Sequence, residues 1–194
     1  TEKRGRQVTD SPIHPFTDAE GIRGAAVYRF AGSGREALTN GSLKECAFNQ
    51  PSGLTKIGNI LYVADAEASA IRAINLETNT VKTPFGKGLF EFGDKDGDVE
   101  EALLQHCVGV ANKAGKIYIA DTYNGKVKIL DLPAKAPAQA GLEKRRISTF
   151  IAGLNEPNDI LFIDDEMWIS DTNNHRVIKV NMETNEKSIV NIKK

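Results

Sequence analysis

Ile117-Tyr-Ile-Ala-Asp121, followed by Thr-Tyr-Asn-Gly-Lys-Val127-Lys-Ile-Leu130-Asp-Leu132, is the stretch on which the fold turns. An apolar, β-rich run ends in a small residue and an aspartate. A short polar loop follows, and a second β-rich run begins. The same order recurs as Ile60-Leu-Tyr-Val-Ala-Asp65 leading to Ile71-Arg-Ala-Ile74-Asn-Leu76, and as Met167-Trp-Ile-Ser-Asp171 leading to Val177-Ile-Lys-Val180-Asn-Met182. A second marker stands upstream of each aspartate: Gln50-Pro-Ser-Gly53-Leu, His106-Cys-Val-Gly109-Val and Glu156-Pro-Asn-Asp159-Ile. The offset is 14 residues from Pro51 to Asp65, from Cys107 to Asp121 and from Pro157 to Asp171, whereas the aspartates are 56 and then 50 residues apart. A constant offset inside each unit and a variable spacing between units mark a structural repeat with variable connections.

Each unit reads as four short strands, a to d. Strand a follows the marker (53–57, 109–112, 159–163), strand b ends at the aspartate, strand c begins after the polar loop, and strand d closes the unit (80–85, 146–151, 186–192). Val, Ile, Tyr and Phe fill these runs, and Gly, Asn and Asp separate them. A lone four-stranded unit cannot bury both faces, so the units must stack around an axis. The expected fold is all-β, a β-propeller of four-stranded antiparallel blades over residues 26–194. The blades fall near 26–86, 87–153 and 154–194, after an irregular N-terminal segment at 1–25.

The phrases Ala120-Asp-Thr-Tyr-Asn and Ser170-Asp-Thr-Asn-Asn-His-Arg176 resemble the NHL repeat. Tyr28-Arg-Phe-Ala-Gly-Ser-Gly34, Phe48-Asn-Gln-Pro-Ser-Gly-Leu54, Leu89-Phe-Glu-Phe-Gly-Asp-Lys-Asp-Gly97, Leu104-Gln-His106 and the segment 150–157 are similar to the C-terminal half of proteins that join a thioredoxin-like domain to an NHL propeller. The resemblance covers about residues 27–192 and implies a six-bladed ring. The redox motif of the thioredoxin-like half has no counterpart here, so no oxidoreductase role is carried over. Cys107 departs from the pattern, standing where the other two units have Pro51 and Pro157.

Measured against six blades, three full NHL blades plus one extra outer strand at 26–30 make about half of a ring. Residues 1–25, with Pro12 and Pro15, cannot supply the three strands that would precede 26–30. An open half-ring exposes apolar faces and strand edges. The expectation is a homodimer that closes the ring, or an N-terminal half missing from this chain, which has no initiator Met.

Charge is balanced, 25 Lys+Arg against 26 Asp+Glu, which leaves no electrostatic footprint for nucleic acid or an anionic membrane. No apolar run approaches the roughly 18–20 residues of a membrane span, and Thr1-Glu-Lys-Arg-Gly-Arg lacks the apolar core of a signal peptide. A soluble protein is expected, cytoplasmic rather than secreted or periplasmic, although two thiols do not fix the compartment. Cys46 and Cys107 are far apart with no CxxC, which argues against a disulfide framework or a zinc site.

In an antiparallel blade the b–c loops and the d–a connections emerge on one face. That face collects Glu67, Ser69, Tyr123, Asn124, Asn173, Asn174 and His175, and with them the long segments 33–47 and 87–104. The opposite face carries the a–b and c–d turns. Binding residues gather on loops held by rigid strands, so the first face is the expected site of a protein or small ligand, with Tyr123, Asn124, Asn173, Asn174, His175, Asp94 and Asp96 as its candidates. The expected function is a non-catalytic scaffold. Asp65, Asp121 and Asp171, and with them Pro51, Cys107 and Pro157, recur in every unit and read as architecture, the aspartates accepting N–H bonds from the turn that follows.

No cofactor is expected; the alternatives are calcium or zinc. The acidic run 94–101 invites a calcium reading, but Gly97 falls at position 4 and Gln105 at position 12 counted from Asp94, which is not an EF-hand. Gln50, His106 and Glu156 stand at equivalent places before strand a. They could ring the mouth of a central channel and hold a metal, the arrangement of a metal-dependent hydrolase of the lactonase or esterase kind. The plainer reading is a set of hydrogen bonds between blades. There is no GxSxG elbow, His14 lies in a Pro-flanked tail, and Cys107 reads as a buried small hydrophobe. Segment 133–145, rich in Ala and Pro, reads as a mobile surface loop.

Overall fold

The computed structural model describes residues 29–131 and 145–190. The chain divides into two units, Thr1–Ala31 and Gly32–Lys194. Of the first, residues 29–31 are described and form no strand or helix. The irregular segment expected at 1–25 and most of the strand expected at 26–30 lie outside the described residues, as does nearly all of the loop at 133–145.

The described residues of the second unit form three antiparallel sheets. In chain order the strands are β1 (Gly41–Ser42), β2 (Pro51–Ile57), β3 (Ile60–Asp65), β4 (Ala70–Asn75), β5 (Thr80–Phe85), β6 (Gly97–Asp98), β7 (Cys107–Lys113), β8 (Lys116–Asp121), β9 (Lys126–Asp131), β10 (Arg146–Ala152), β11 (Pro157–Ile163), β12 (Glu166–Asp171), β13 (Arg176–Asn181) and β14 (Lys187–Ile189). Blade 1 is β2-β3-β4-β5, blade 2 is β7-β8-β9-β10 and blade 3 is β11-β12-β13-β14. The described helices are two three-residue 3-10 turns, Thr122–Asn124 and Thr172–Asn174. No helix among the described residues is long and apolar enough to cross a membrane.

The offset of 14 residues is a pairing rule. Pro51 lies opposite Asp65, Cys107 opposite Asp121 and Pro157 opposite Asp171 across the a–b hairpin, and a β-bulge follows each pair. The bulge falls at the Gly53, Gly109 or Asp159 position. Strand a is innermost: β2 packs on β7, and β7 on β11. Ser52 Oγ donates to Val108 O at 2.7 Å, and Asn112 Nδ2 donates to Thr55 Oγ1 at 2.7 Å, both across the first blade junction. Glycine permits this approach. A Cβ on Gly53 would lie 2.6 Å from Val108 O, and one on Gly109 would lie 2.4 Å from Asn158 O.

Blades that nearly touch at the axis must diverge outward, and the wedge between them has to be filled. Between blades 2 and 3 large side chains fill it. Tyr118 meets the rings of Phe150 and Phe162 edge-on, beside Met167, Ile169 and Val180. Between blades 1 and 2 the filler is chain. Val99, Ala102 and Leu104 pack in one core with Tyr62, Ile71 and Phe85 of blade 1 and Ile117, Leu130 and Ile147 of blade 2. The segments 33–47 and 87–104 are expected on the binding face, and the second reaches the b–c loop of blade 2 at Gly93, whose carbonyl accepts from Asn124 Nδ2 at 2.8 Å. Each runs along the outer edge of the blade it precedes and adds a fifth strand there, β1 on β5 and β6 on β10.

The two long segments are one repeated device. Gly32–Lys194 repeats its backbone bonds at an offset of 56: Thr39 and Ala47 bond as Lys95 and Leu103 do, and Cys46 N–H bonds to Ser42 O as Ala102 N–H does to Asp98 O. A buried cation fastens each. Arg72, fully buried, donates to Ala47 O at 2.6 Å, Thr39 O at 2.7 Å and Asp65 at 3.0 Å. Lys128, also fully buried, donates to Asp94 at 2.8 Å and Leu103 O at 3.2 Å, and lies 3.3 Å from Asp96 and 3.4 Å from Asp121. Blade 3 is entered from β10 by residues 153–156 alone and has Ile178 at this place. The buried cation and the long segment occur together, because a cation inside a blade needs the acceptors that the segment supplies.

The repeated aspartates are fully buried, but not in the role expected of them. Each accepts an N–H from 16 residues upstream rather than from the turn that follows: Asn49 to Asp65 at 2.6 Å, Gln105 to Asp121 at 2.7 Å, Asn155 to Asp171 at 2.7 Å. Each thereby latches the entrance of strand a to the end of strand b. The following loop contributes side chains instead, Asn124 and Asn174, each donating at 2.8 Å.

Candidate functional site

The latch sets the b–c loop beside the entrance of strand a. The backbone N–H groups of Glu67, Tyr123 and Asn173 donate to the carbonyls of Asn49, Gln105 and Asn155 at 3.0, 3.2 and 3.0 Å. The next residues, Gln50, His106 and Glu156, all take left-handed backbone with φ of 68, 52 and 48°. Strain of this kind costs about 1 kcal/mol per residue, and it recurs in three blades, so it belongs to the chain reversal into strand a.

Side chains then make the junctions differ. At the junction of blades 1 and 2, His106 is the hub. Its N–H donates to Ser69 Oγ at 3.0 Å, its Nδ1 lies 3.2 Å from Glu67 Oε1, and its ring stacks on Tyr123 at 4.2 Å and 13°. Glu67 and Ser69 come from the loop of blade 1, whereas His106 and Tyr123 come from blade 2. The tyrosine is 57% exposed and the Glu67 side chain 43%, so both present themselves to solvent. At the next junction Glu156 takes the place of His106, Tyr123 that of Glu67, and Asn173 that of Tyr123.

Of the residues singled out from sequence, Tyr123, Asn173, Asn174 and His175 are exposed, and Asn124 is half-buried. Asn124 and Asn174 are turned to the latch aspartates, and Asn124 Nδ2 also donates to Gly93 O at 2.8 Å. His175 closes a 3-10 turn in left-handed conformation, its N–H donating to Thr172 O at 3.0 Å. Asp94 and Asp96 follow Gly93 away from the b–c loop of blade 2. They lie along the outer edge of blade 2, where Lys126 and Lys128 engage Asp94 while Thr149 N–H and Oγ1 donate to Asp96 at 2.8 and 3.0 Å. Among the carboxylates of this loop lies the chain's own Lys128 Nζ, 2.8 Å from Asp94 and 3.3 Å from Asp96.

Gln50, His106 and Glu156 come from three different blades, and His106 spends its Nδ1 on Glu67. Among the described residues no three His, Cys, Asp or Glu side chains converge as a metal-holding group. Sequence reasoning places Glu67 and Ser69 on the face but assigns them no role. The signal for one is their contrast with Tyr123 and Gly125 at the same repeat positions.

The latches differ electrostatically. Burial pushes the Asp65 and Asp121 carboxyls up despite their hydrogen bonds. Burial also raises Asp171, but the N–H of Asn155, Asn174 and a direct 2.7 Å pair with Arg176 outweigh it and hold the carboxyl below its usual range.

Cys107 is fully buried, its Sγ 3.5 Å from Ala70 O, and burial followed by Asp121 pushes its thiol far above the ordinary range. Cys46 is buried as well. A maleimide should therefore label neither cysteine while the protein is folded and both once it is unfolded. Rapid labelling of Cys107 under native conditions contradicts the packing described.

No family model matches the chain. It is 35% identical over 180 residues to NHL repeat-containing protein 2 of Bos taurus, a match covering 83% of this chain and 25% of that protein. It is 36% identical over 178 residues to protein SUPPRESSOR OF QUENCHING 1, chloroplastic, of Arabidopsis thaliana, covering 82% of this chain and 16% of that one. The chain thus spans a quarter or less of the length of these curated relatives. Among solved structures, a structural genomics protein of unknown function from Bacteroides thetaiotaomicron VPI-5482 matches with a TM-score of 0.50 over 65% of this chain and 28% of that one, at 17% identity, a likeness of fold alone.

Proposed function

Since the chain is a run of NHL-repeat β-propeller blades, we propose that it is a binding scaffold, holding a protein or small ligand on the face of its b–c loops. One observation carries this reading: at the junction of blades 1 and 2 an exposed tyrosine and an exposed carboxylate are ordered by the same histidine. Exposed aromatic rings fixed by rigid surroundings are favoured anchors, because little side-chain entropy is lost on binding. The strands beneath are latched three times over by buried aspartates, so the loops stand on a rigid base.

A photo-crosslinking amino acid tests the face. Placed at Tyr123 or Asn173, it should capture the partner. Placed at Asp164 in the a–b turn of blade 3 or at Asn59 in that of blade 1, it should not. Capture from the a–b turns and none from the b–c loops overturns the reading.

The proposal includes completion of the ring. On the flank of blade 3, Leu161 and Val177 are 58% and 41% exposed, whereas their counterparts in blade 2, Ala111 and Val127, are 8% and 0% exposed. That flank is built like the one that blade 3 itself covers in blade 2. A second copy of this chain, or further blades of a longer polypeptide, would cover it. Light scattering should show this chain self-associating at tens of micromolar, and less so with Leu161→Lys. A monomer at that concentration removes the homodimer.

A further inference from the structure

The Glu67–His106–Tyr123 cluster has a narrower chemistry than general ligand binding, and the partner assigned to it rests on the binding role proposed for this face. Tyr123 has one ring face occupied by the stacked His106, while the residue as a whole remains 57% exposed. Beside it, Glu67 is held at 3.2 Å by His106 Nδ1 and keeps 43% of its side chain in solvent. A second carboxylate, Glu156, is exposed one blade further on. Repeat symmetry sets Glu156 beside the Tyr123 loop as His106 is set beside the Glu67 loop. Glu156 forms no ion pair among the described residues.

The basic side chains that leave the same loops are spent elsewhere. Lys126 is paired with Asp94 on the outer edge of blade 2, and Arg176 with Asp171 at 2.7 Å. The surroundings of Tyr123 therefore combine an accessible aromatic residue, two carboxylates and no free basic neighbour from the b–c loops. Such a combination selects for a planar cation. A guanidinium stacks on an aromatic face while its N–H fork donates to a carboxylate. An ammonium satisfies the carboxylate but cannot stack, and a neutral planar group stacks but does not answer the charge.

We propose that this junction binds the guanidinium of an arginine side chain presented by a partner peptide. Glu67 and Tyr123 contact it. His106 is a positioning residue, tying Glu67 through Nδ1 and Tyr123 through its ring so that acid and ring are held in one cluster.

The test is a titration of the 15N-labelled chain, followed by NMR, with short acetylated and amidated peptides. They are identical except for one central residue: arginine, its neutral isostere citrulline, lysine, leucine or glutamate. The arginine peptide should shift the amides of Glu67, Ser69, His106 and Tyr123. Lysine should bind about threefold and citrulline about tenfold more weakly. Tyr123→Ala and Glu67→Gln should each weaken arginine binding about fivefold, and Tyr123→Phe should restore it. In a His106→Phe background, which keeps a ring to stack on, Tyr123→Ala should still weaken binding. In a His106→Ala background it should have little further effect, because the tyrosine is no longer held.

Citrulline binding as tightly as arginine overturns the proposal. So do arginine shifts confined to residues 172–175 or to the a–b turns. If leucine or glutamate peptides shift the cluster and arginine does not, the face binds but its assigned chemistry is wrong. If no peptide shifts the face, the arginine proposal falls, and the crosslinking experiment decides the broader reading independently.

Discussion

Lys128→Ala should lower the unfolding free energy by about 3–5 kcal/mol in urea denaturation, the range for removing one member of a buried ion pair. Lys128 is fully buried with Asp94, Asp96 and Asp121 around its Nζ, and Asp121 is itself fully buried. Removing the cation leaves three carboxylates facing one another and takes from Leu103 O the second of its two donors, the first being the Lys95 N–H. The wedge segment that fills the gap between blades 1 and 2 then loses its fastening, so the damage extends to the packing of Val99, Ala102 and Leu104. Lys95→Ala is the control. Its pair with Glu101 is 55% and 67% exposed, and such surface pairs contribute about 0–1 kcal/mol. A loss below about 1 kcal/mol for Lys128→Ala refutes the anchoring role.

Acid should act on the same cluster. Burial pushes the Asp94 and Asp96 carboxyls up. Outweighing this are bonds to Asp94 from Lys126 and Lys128, and to Asp96 from Thr149 and Lys128, so both end below their usual range. A carboxyl whose folded pKa is depressed contributes stability above its unfolded pKa, about 4. That contribution is lost as pH falls from there through the folded value. Lys128 titrates in the other direction. Burial lowers it, but Asp94 and Asp121 outweigh this and raise it, so its contribution is complete below its unfolded pKa, about 10.4, and fades only as pH rises beyond that. The wild type should therefore lose stability below about pH 4 more steeply than an Asp94→Asn variant does. Equal slopes exclude Asp94 as a source of the acid sensitivity.

Gly109→Val should destabilise by about 3 kcal/mol or more, at the upper end of what overpacking costs. Even the Cβ of an alanine would lie 2.4 Å from Asn158 O, so strand a of blade 2 would have to move from strand a of blade 3. Backbone of two sheets meets there, with no flexible side chain to yield. Gly53→Val should behave alike, its Cβ 2.6 Å from Val108 O. Asp159 already carries a side chain at the equivalent position and is exposed, so Asp159→Ala should change stability by less than about 0.5 kcal/mol. Thermal melts of the three variants compare them directly. A Gly109→Val variant as stable as the wild type contradicts the close approach at the axis.

Much of this architecture is legible in the sequence. The constant distance from marker to aspartate is the Cα pairing of Pro51 with Asp65, Cys107 with Asp121 and Pro157 with Asp171. A hairpin with a fixed bulge has no other way to keep its ends together. Strand d, expected at 80–85 and 146–151, is Thr80–Phe85 and Arg146–Ala152. In blade 3 it is expected over 186–192; the described strand is Lys187–Ile189, and residues 191 and 192 lie outside the described residues. The candidate site is less legible. Tyr123 and Asn173 stand out as loop residues, whereas His106 suggests a ligand set because its symmetry mates are Gln50 and Glu156. Repeat symmetry predicts position, not partner, and the side chains His106 meets are decided by which residues the neighbouring blade happens to supply.

The amino-acid sequence on its own determines the blades, because alternating apolar runs, an aspartate and a two-residue turn are local features that one unit can hold. It also determines that Asp65, Asp121 and Asp171 are structural, since a residue needed in every blade serves the blade. Only the tertiary structure decides what the long segments do. Their common frame is a set of backbone bonds, which Thr39 and Lys95, or Ser42 and Asp98, supply equally well, so the equivalence leaves little trace in side-chain identity. Nor can Arg72 and Lys128 be recognised as the same anchor from one chain, for in a strand each reads as a solvated charge. They are buried because the segment returning along the outer edge brings carbonyl and carboxylate oxygens to them, and the junction of two blades likewise brings Glu67 to His106 across 39 residues of chain.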